Sequence, residues 1–404
     1  MVDSPPETIP AVWRRDVEGP GMRAFILGVG GYPNAKPNRG VDQALRGVAD
    51  VACAASAARL MADWLYVNRD ALTPKLASIH LLVTDPEEDY DRIPYILQHL
   101  VPEKPVHRAT KETVELAGRD WVASFGEGDS AFCFISGHGA VRAGDAVVFL
   151  SDLNTDDTDP WGAHFNITEV ATAFKAKSIL NAAYFFVDAC QEFSSEFVLS
   201  NSHGARFIRP LHPFKLHEAR EKVLLISAAA EGLRAFEGDW PQDRRQQAAK
   251  TITIGRFTQV LIDALDGASA RFDNGKWIID TGRWKLQSDL RFLYGRRQSW
   301  SERFEPVTLI DQNNFFPLVI SPNPRIPIFV LTDPERLMAS YRLHVHDDKR
   351  ARLLSCPLGR STTWMFEISP STRPHYLIAE NDMWRHETEF APTGPIFNQR
   401  ISVS

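Results

Sequence analysis

The chain has 404 residues, of which 44% are hydrophobic and 24% charged, and a formal net charge of −6. That length calls for two or three domains, and the acidic balance excludes the basic field that nucleic acid or an anionic membrane would attract. The opening stretch MVDSPPETIPAVWRRD lacks the apolar centre of a signal peptide, and no apolar run approaches the roughly 18 residues that span a bilayer.

Residues 1–21, rich in proline, read as an N-terminal tail or wrapping arm. RAFILGVGGY (23–32) reads as a buried strand ending in glycines. LRGVADVACAASAARLMADWL (45–65), rich in alanine with apolar residues at three- and four-residue steps, reads as a closely packed helix. ASIHLLVT (77–84) is a second strand, and YDRIPYILQHLV (90–101) and TKETVELAGRDWVASF (110–125) are helical. SAFCFISGHGA (130–140), AAYFFVDAC (182–190) and KVLLISAAA (222–230) are further strands, and GRFTQVLIDALDG (255–267) is another helix. Strands apolar on both faces that alternate with helices predict an α/β fold, a doubly wound and mostly parallel sheet with helices on both faces. Such sheets carry their reactive groups at the carboxyl ends of the strands. From Glu192 to Glu221 no period appears, and a connection of that length is expected to be functional or disordered. SPNPRIP (321–327) reads as a linker into a small C-terminal β-sandwich-like domain, 327–404, of short alternating strands.

Four cysteines, Cys53, Cys133, Cys190 and Cys356, are widely spaced with no CxxC pair, which fits a reducing cytoplasm and argues against a zinc knuckle. Cys190 ends one strand and His138, between two glycines in SGHG, ends the preceding one. A thiol attacks as thiolate, and imidazole is its usual proton acceptor near neutral pH. The backbone N–H groups of Gly139 and Cys190 are the candidate oxyanion donors. Cys53, Cys133 and Cys356 read as packing residues.

His138 precedes Cys190 by 52 residues, and a His about 50 residues ahead of the Cys is the caspase arrangement. FISGHGA (134–140) and FVDACQEF (186–193) resemble the His and Cys motifs of the caspase, metacaspase and paracaspase clan. FILGVGGY, LRGVADVACAASAARL, VVFLSDLNTDDTDPWGAHFNITEVATAF (147–174) and LISAAAEGLRAFEG (225–238) resemble its other segments. The resemblance spans about 22–321, with a large half (22–191), a connection (192–221) and a small half (222–321). It implies a cysteine-type endopeptidase, a hydrolase of the C14 kind, acting on protein or peptide substrates. Asp188 and Glu192 depart from the caspase pattern; an acid at 188 is similar to metacaspases and implies a pocket for Arg or Lys, as a carboxylate in a partly dry site favours guanidinium or ammonium. Ala229 and Glu231, in AAEGLRAFEG, are assigned to the substrate-binding edge, with Glu237 as a further candidate there. Arg206, Arg209, Lys215, Arg220 and Lys222 are the candidate self-cleavage positions. Some metacaspases respond to Ca²⁺, but SDLNTDDTD (151–159) lacks an EF-hand's central glycine and terminal Glu and reads as a solvated hairpin tip, so no metal or cofactor is assigned. GVGGYPNAKPNRG (28–40) fits neither phosphate-loop pattern. Rival expectations are non-basic specificity and a catalytically quiet scaffold, with the C-terminal β domain as the docking surface for a regulatory protein.

Overall fold

The computed structural model describes residues 8–35, 48–86, 106–192, 195–200, 202–209, 222–241, 251–282, 285–297, 305–311, 316–356, 358–359, 363–371 and 373–404. The helix expected over 90–101 lies outside them. Internal contacts divide the chain into two units, residues 1–262 with 281–316, and residues 263–280 with 317–404.

The first unit is mixed α/β. In chain order it begins β1 (Trp13–Arg14), β2 (Met22–Val29), α1 (Ala52–Val67), β3 (Leu76–Thr84), α2 (Lys111–Ala123) and β4 (Ser130–Gly137). A small antiparallel sheet follows, β5 (Gly139–Arg142), β6 (Asp145–Phe149) and β7 (His164–Asn166), then α3 (Ile167–Lys175), β8 (Ala182–Ala189), α4 (Ser195–Leu199) and β9 (Val223–Ser227). A second hairpin, β10 (Glu237–Pro241) and β11 (Thr251–Gly255), leads to α5 (Arg256–Asp263). The second unit takes β12 (Arg271–Asp273) and β13 (Lys276–Asp280). The chain then returns to the first unit for α6 (Lys285–Arg297) and β14 (Val307–Ile310).

The seven-stranded central sheet runs β1-β3-β2-β4-β8-β9-β14. Its five inner strands are parallel, and the two edges, β1 and β14, are antiparallel to their neighbours. Both faces are covered. Phe25, Leu27, Cys133, Ile135 and Phe185 point into an aromatic-rich core with Trp121 of α2 and Phe174 of α3. On the opposite face α1 lies so close to β2 that a Cβ on Gly28 would sit 2.5 Å from Ala58 Cβ, which explains the run of alanines. Gly30 and Gly31 serve the same purpose: a Cβ on Gly31 would lie 2.3 Å from the Asp85 carbonyl oxygen. The glycines after β2 therefore permit close packing.

Three sequence expectations change here. Residues before 22 include an edge strand, with Trp13 opposite Ile79 and Arg14 opposite Ser78, rather than a free tail. The early part of the 192–221 connection is ordered: it contains α4, and Phe197 and Phe207 belong to the main core. Those aromatics are spaced too irregularly to announce an amphipathic element, so only their partners reveal them. The domain boundary also moves. The β12–β13 hairpin pairs through β13 with β15 (Pro317–Ser321), so residues 263–280 and 317–321 join the C-terminal unit.

That unit adds β16 (Ile326–Asp333), β17 (Arg342–His346), β18 (Arg352–Cys356), β19 (Trp364–Ile368), β20 (His375–Glu380), β21 (Arg385–Phe390) and β22 (Phe397–Ser402). Sheets ordered β19-β16-β22 and β18-β17-β20-β21 share one apolar core that includes Ile328, Val345, Leu377 and Ile401, the layering of a small sandwich.

Candidate active site

β4 and β8 are parallel neighbours, with Ser136 opposite Asp188 and Gly137 opposite Ala189. The next residues on the two strands are His138 and Cys190, so pairing register sets the two residues at matching positions beyond the carboxyl edge of the sheet. Both line one small cleft of about 80 Å³, together with Val51, Cys53, Asp188, Phe236 and Glu237. A parallel bridge between Ala140 and Glu192 holds the two segments together past the site. Gly139 has to be glycine, since a Cβ there would lie 2.2 Å from the Cys190 carbonyl oxygen. Phe149 N–H donates to His138 C=O at 2.9 Å. Antiparallel pairs alternate between bonded and non-bonded, so the neighbouring Gly139–Val148 pair leaves the Gly139 N–H unclaimed by β6.

His138 Nε2 lies 2.9 Å from the Ala49 carbonyl oxygen. A carbonyl only accepts, so Nε2 carries the proton and Nδ1 is the free base. Burial holds the His138 pKa below its ordinary value, against the Ala49 carbonyl and the carboxylates of Glu192 and Glu237, which pull it up. The Cys190 Sγ accepts the Ala235 N–H at 3.3 Å. Burial raises the thiol pKa, the Ala235 N–H opposes this, and Glu192 and Asp188 raise it further. Among the described residues no hydrogen bond joins His138 to Cys190. The cleft therefore holds a neutral imidazole and a protonated thiol.

Asp188 lines the floor of the cleft and is nearly fully buried. Its Oδ2 accepts the backbone N–H of Thr258 at 3.1 Å and also the Thr258 hydroxyl, so it caps the first turn of α5 from a distance. Burial raises its pKa to about 6, Thr258 opposes the shift, and Glu237 adds to it. Glu237 is the second acid of the cleft. The Cys53 thiol donates to Glu237 Oε1 at 2.9 Å, so Cys53 is part of the site's wall and more than helix packing.

Ala229 and Glu231 do not line the cleft. Ala229 is buried and its carbonyl accepts from Gln191 Nε2, which also donates to Ser227 Oγ; Glu231 is exposed to solvent. The reason is the turn at Gly232, where a φ of 79° reverses the chain and brings 235–237 across Cys190 in their place. Arg234 and Glu192 pair at 2.6 Å on the exposed rim. Of the self-cleavage candidates, Lys222 is 3% exposed and its ammonium is tied to the carbonyls of Lys177 and Leu180. Arg206 sits between buried Ala205 and Phe207, and its N–H donates to Glu115 Oε1 at 3.0 Å. Arg209 is exposed, and Lys215 and Arg220 fall outside the described residues. The acidic stretch 151–159 is committed to local structure: Asp152 accepts the Lys111 N–H and Asp156 accepts from Thr158. Among the described residues no group of three or more His, Cys, Asp or Glu is arranged to hold a metal ion.

A larger cavity of about 230 Å³ lies elsewhere in the first unit, between the β5–β6 turn, β7 and residues 202–206. His164 lines it, with a pKa lowered to about 4 by burial. It contains neither Cys190 nor His138.

Tyr32, Ala49, Cys53, Glu237 and Thr258 all serve the site, and none belongs to the two motifs that announce it. All five stand in segments quoted above, FILGVGGY, LRGVADVACAASAARL, LISAAAEGLRAFEG and GRFTQVLIDALDG, but nothing in those segments marks them as part of the site. No protein-family model matches this chain, and no curated protein matches it. Among solved structures it is similar to protein GSU0716 from Geobacter sulfurreducens, at 14% identity with a TM-score of 0.37, covering 74% of this chain and 100% of that one. No helix among the described residues is long and apolar enough to cross a membrane.

Proposed function

We propose that this chain is a caspase-like cysteine endopeptidase that uses His138 and Cys190 and favours Arg or Lys before the scissile bond. The observation that carries the reading is the placement of His138 and Cys190 at matching positions past adjacent parallel strands, on one cleft. In this mechanism His138 Nδ1 removes the thiol proton as Sγ attacks the peptide carbonyl. The N–H groups of Gly139 and Cys190 receive the oxyanion, the imidazolium protonates the leaving amine, and water attacks the acyl-enzyme. Two acids in the cleft, Asp188 and Glu237, support a basic side chain in the pocket. The four free thiols suit a reducing compartment such as the cytoplasm.

The test is mass spectrometry of products from a random-peptide digest, run with wild type and Cys190→Ala. Cuts after Arg or Lys by wild type alone are expected. Cuts after Asp or aliphatic residues alone would keep the peptidase and remove the role given to Asp188. A second reading, a scaffold whose output is binding, is favoured by one observation: burial keeps the Cys190 thiol protonated, against the Ala235 N–H that it accepts. Absence of any cut, with and without Ca²⁺, would select it.

A further inference from the structure

His138 is gripped through its backbone as well as its ring. Its N–H donates to the Tyr32 hydroxyl at 2.9 Å, and the two rings pack with centroids 5.3 Å apart. Tyr32 is fully buried. Gly137 leaves room for its hydroxyl, since a Cβ there would approach Tyr32 Oη to 3.1 Å. The same loop fixes the acceptor on the far side of the imidazole. Tyr32 N–H donates to Asp50 Oδ1 at 2.9 Å, and Val51 N–H donates to the Gly30 carbonyl at 2.7 Å. Between Asp50 and the preceding chain lies Ala49, whose carbonyl receives His138 Nε2. The segment after β2 and the segment before α1 are thus tied into one bracket, and His138 touches both halves of it.

We infer that Tyr32 is a positioning residue: its hydroxyl and ring, with Asp50 behind them, hold His138 in the Nε2–H tautomer and leave Nδ1 as the base presented to Cys190. The physical logic is that a ring with two protonation sites needs two fixed references. Ala49 C=O supplies one, and it selects the tautomer only while the backbone of residue 138 stays at the right distance. Tyr32 supplies that distance. A buried hydroxyl that accepts the N–H of the residue before Gly139 also keeps the turn out of β4 from relaxing toward the cleft. The catalytic meaning of the inference rests on the peptidase reading above, but the geometric claim does not.

The test uses the full chain labelled with ¹⁵N-histidine, with the His138 signal assigned by its loss in His138→Gln. Wild type is expected to show one Nε2–H tautomer for His138, and Tyr32→Phe a mixture of tautomers. If wild type is active, Tyr32→Phe should lower kcat by about tenfold or more with KM little changed. An unchanged His138 tautomer in folded Tyr32→Phe overturns the inference. Where Tyr32→Phe does not fold, Asp50→Ala probes the same bracket from behind, and a wild-type tautomer in that variant overturns it equally. Because the spectrum is read without substrate, an inactive wild type would count against the peptidase reading alone.

Discussion

Cys190 and Asp188 sit two residues apart on one strand end, and burial raises the pKa of both. On the proposed function, the consequence for Cys190 is that His138 has to make the thiolate during the reaction, since little exists beforehand. If the proposed function holds, Cys190→Ala and His138→Ala should each reduce kcat/KM by about 10³-fold or more, with the unfolding midpoint close to wild type. For Asp188 the folded pKa of about 6 lies above the ordinary 3.8. Its protonated form stabilises the fold. That stability is present below about pH 4 and lost as pH rises through 6, an effect of about 3 kcal/mol in all, of which roughly 2 kcal/mol falls between pH 4.5 and 7.5. Urea unfolding at pH 4.5 and pH 7.5 should therefore show this difference in wild type and lose most of it in Asp188→Asn. The ionised form is the one that attracts a cation. On the proposed function, KM for an Arg reporter should fall as pH rises through about 6, and Asp188→Asn should flatten that dependence.

At the scale of elements, the site depends on two contacts that join neighbours far apart in sequence. Asp188 at the end of β8 caps α5 through Thr258, so Thr258→Val should destabilise the first unit by about 1–2 kcal/mol, measured by denaturant unfolding. Gly139 passes so near the Cys190 carbonyl that Gly139→Ala has to displace β5 from β8. That variant should lose activity and stability together, unlike Cys190→Ala. These elements show how much of the site was legible. The strands 130–140 and 182–190 were, because strands buried on both faces are nearly continuous apolar runs and each ends abruptly in polar residues. Tyr32, Ala49 and Thr258 were not, because a backbone carbonyl, a core tyrosine and a helix-turn threonine carry no distinguishing pattern. Their roles exist only across strand β4 or helix α5. Ala229 and Glu231 fall outside the cleft for a related reason: Gly232 reverses the chain, and the direction of that reversal is not written in spacing.

For the whole molecule, the division of the chain after Ile262 and again at 280, 316 and 317 has a practical outcome. A chain ended at Ser321 retains β12, β13 and β15 but loses the core against which Trp277 packs. It should aggregate or bind a hydrophobic dye more strongly than full-length protein. The order within 195–200 and 202–209 also restricts self-processing. Phe207 is stacked against Phe165 with centroids 5.5 Å apart, and Lys222 enters β9 with its side chain buried. A protease needs an extended, accessible segment, so any self-cut should map after Arg209, Lys215 or Arg220 and never after Arg206 or Lys222. N-terminal sequencing of the fragments decides this.

What the sequence determined by itself was the order of the five inner strands with helices α1, α2 and α5, the covered sheet, and the placing of a glycine-flanked His and a Cys at the ends of successive inner strands. Local apolar runs and residue chemistry suffice for those. Tertiary structure alone decided which groups hold that pair, where the second acid enters, and which strands belong to which core. Each of these depends on distances between segments dozens of residues apart, set by sheet register and by turns whose geometry the side-chain pattern does not encode.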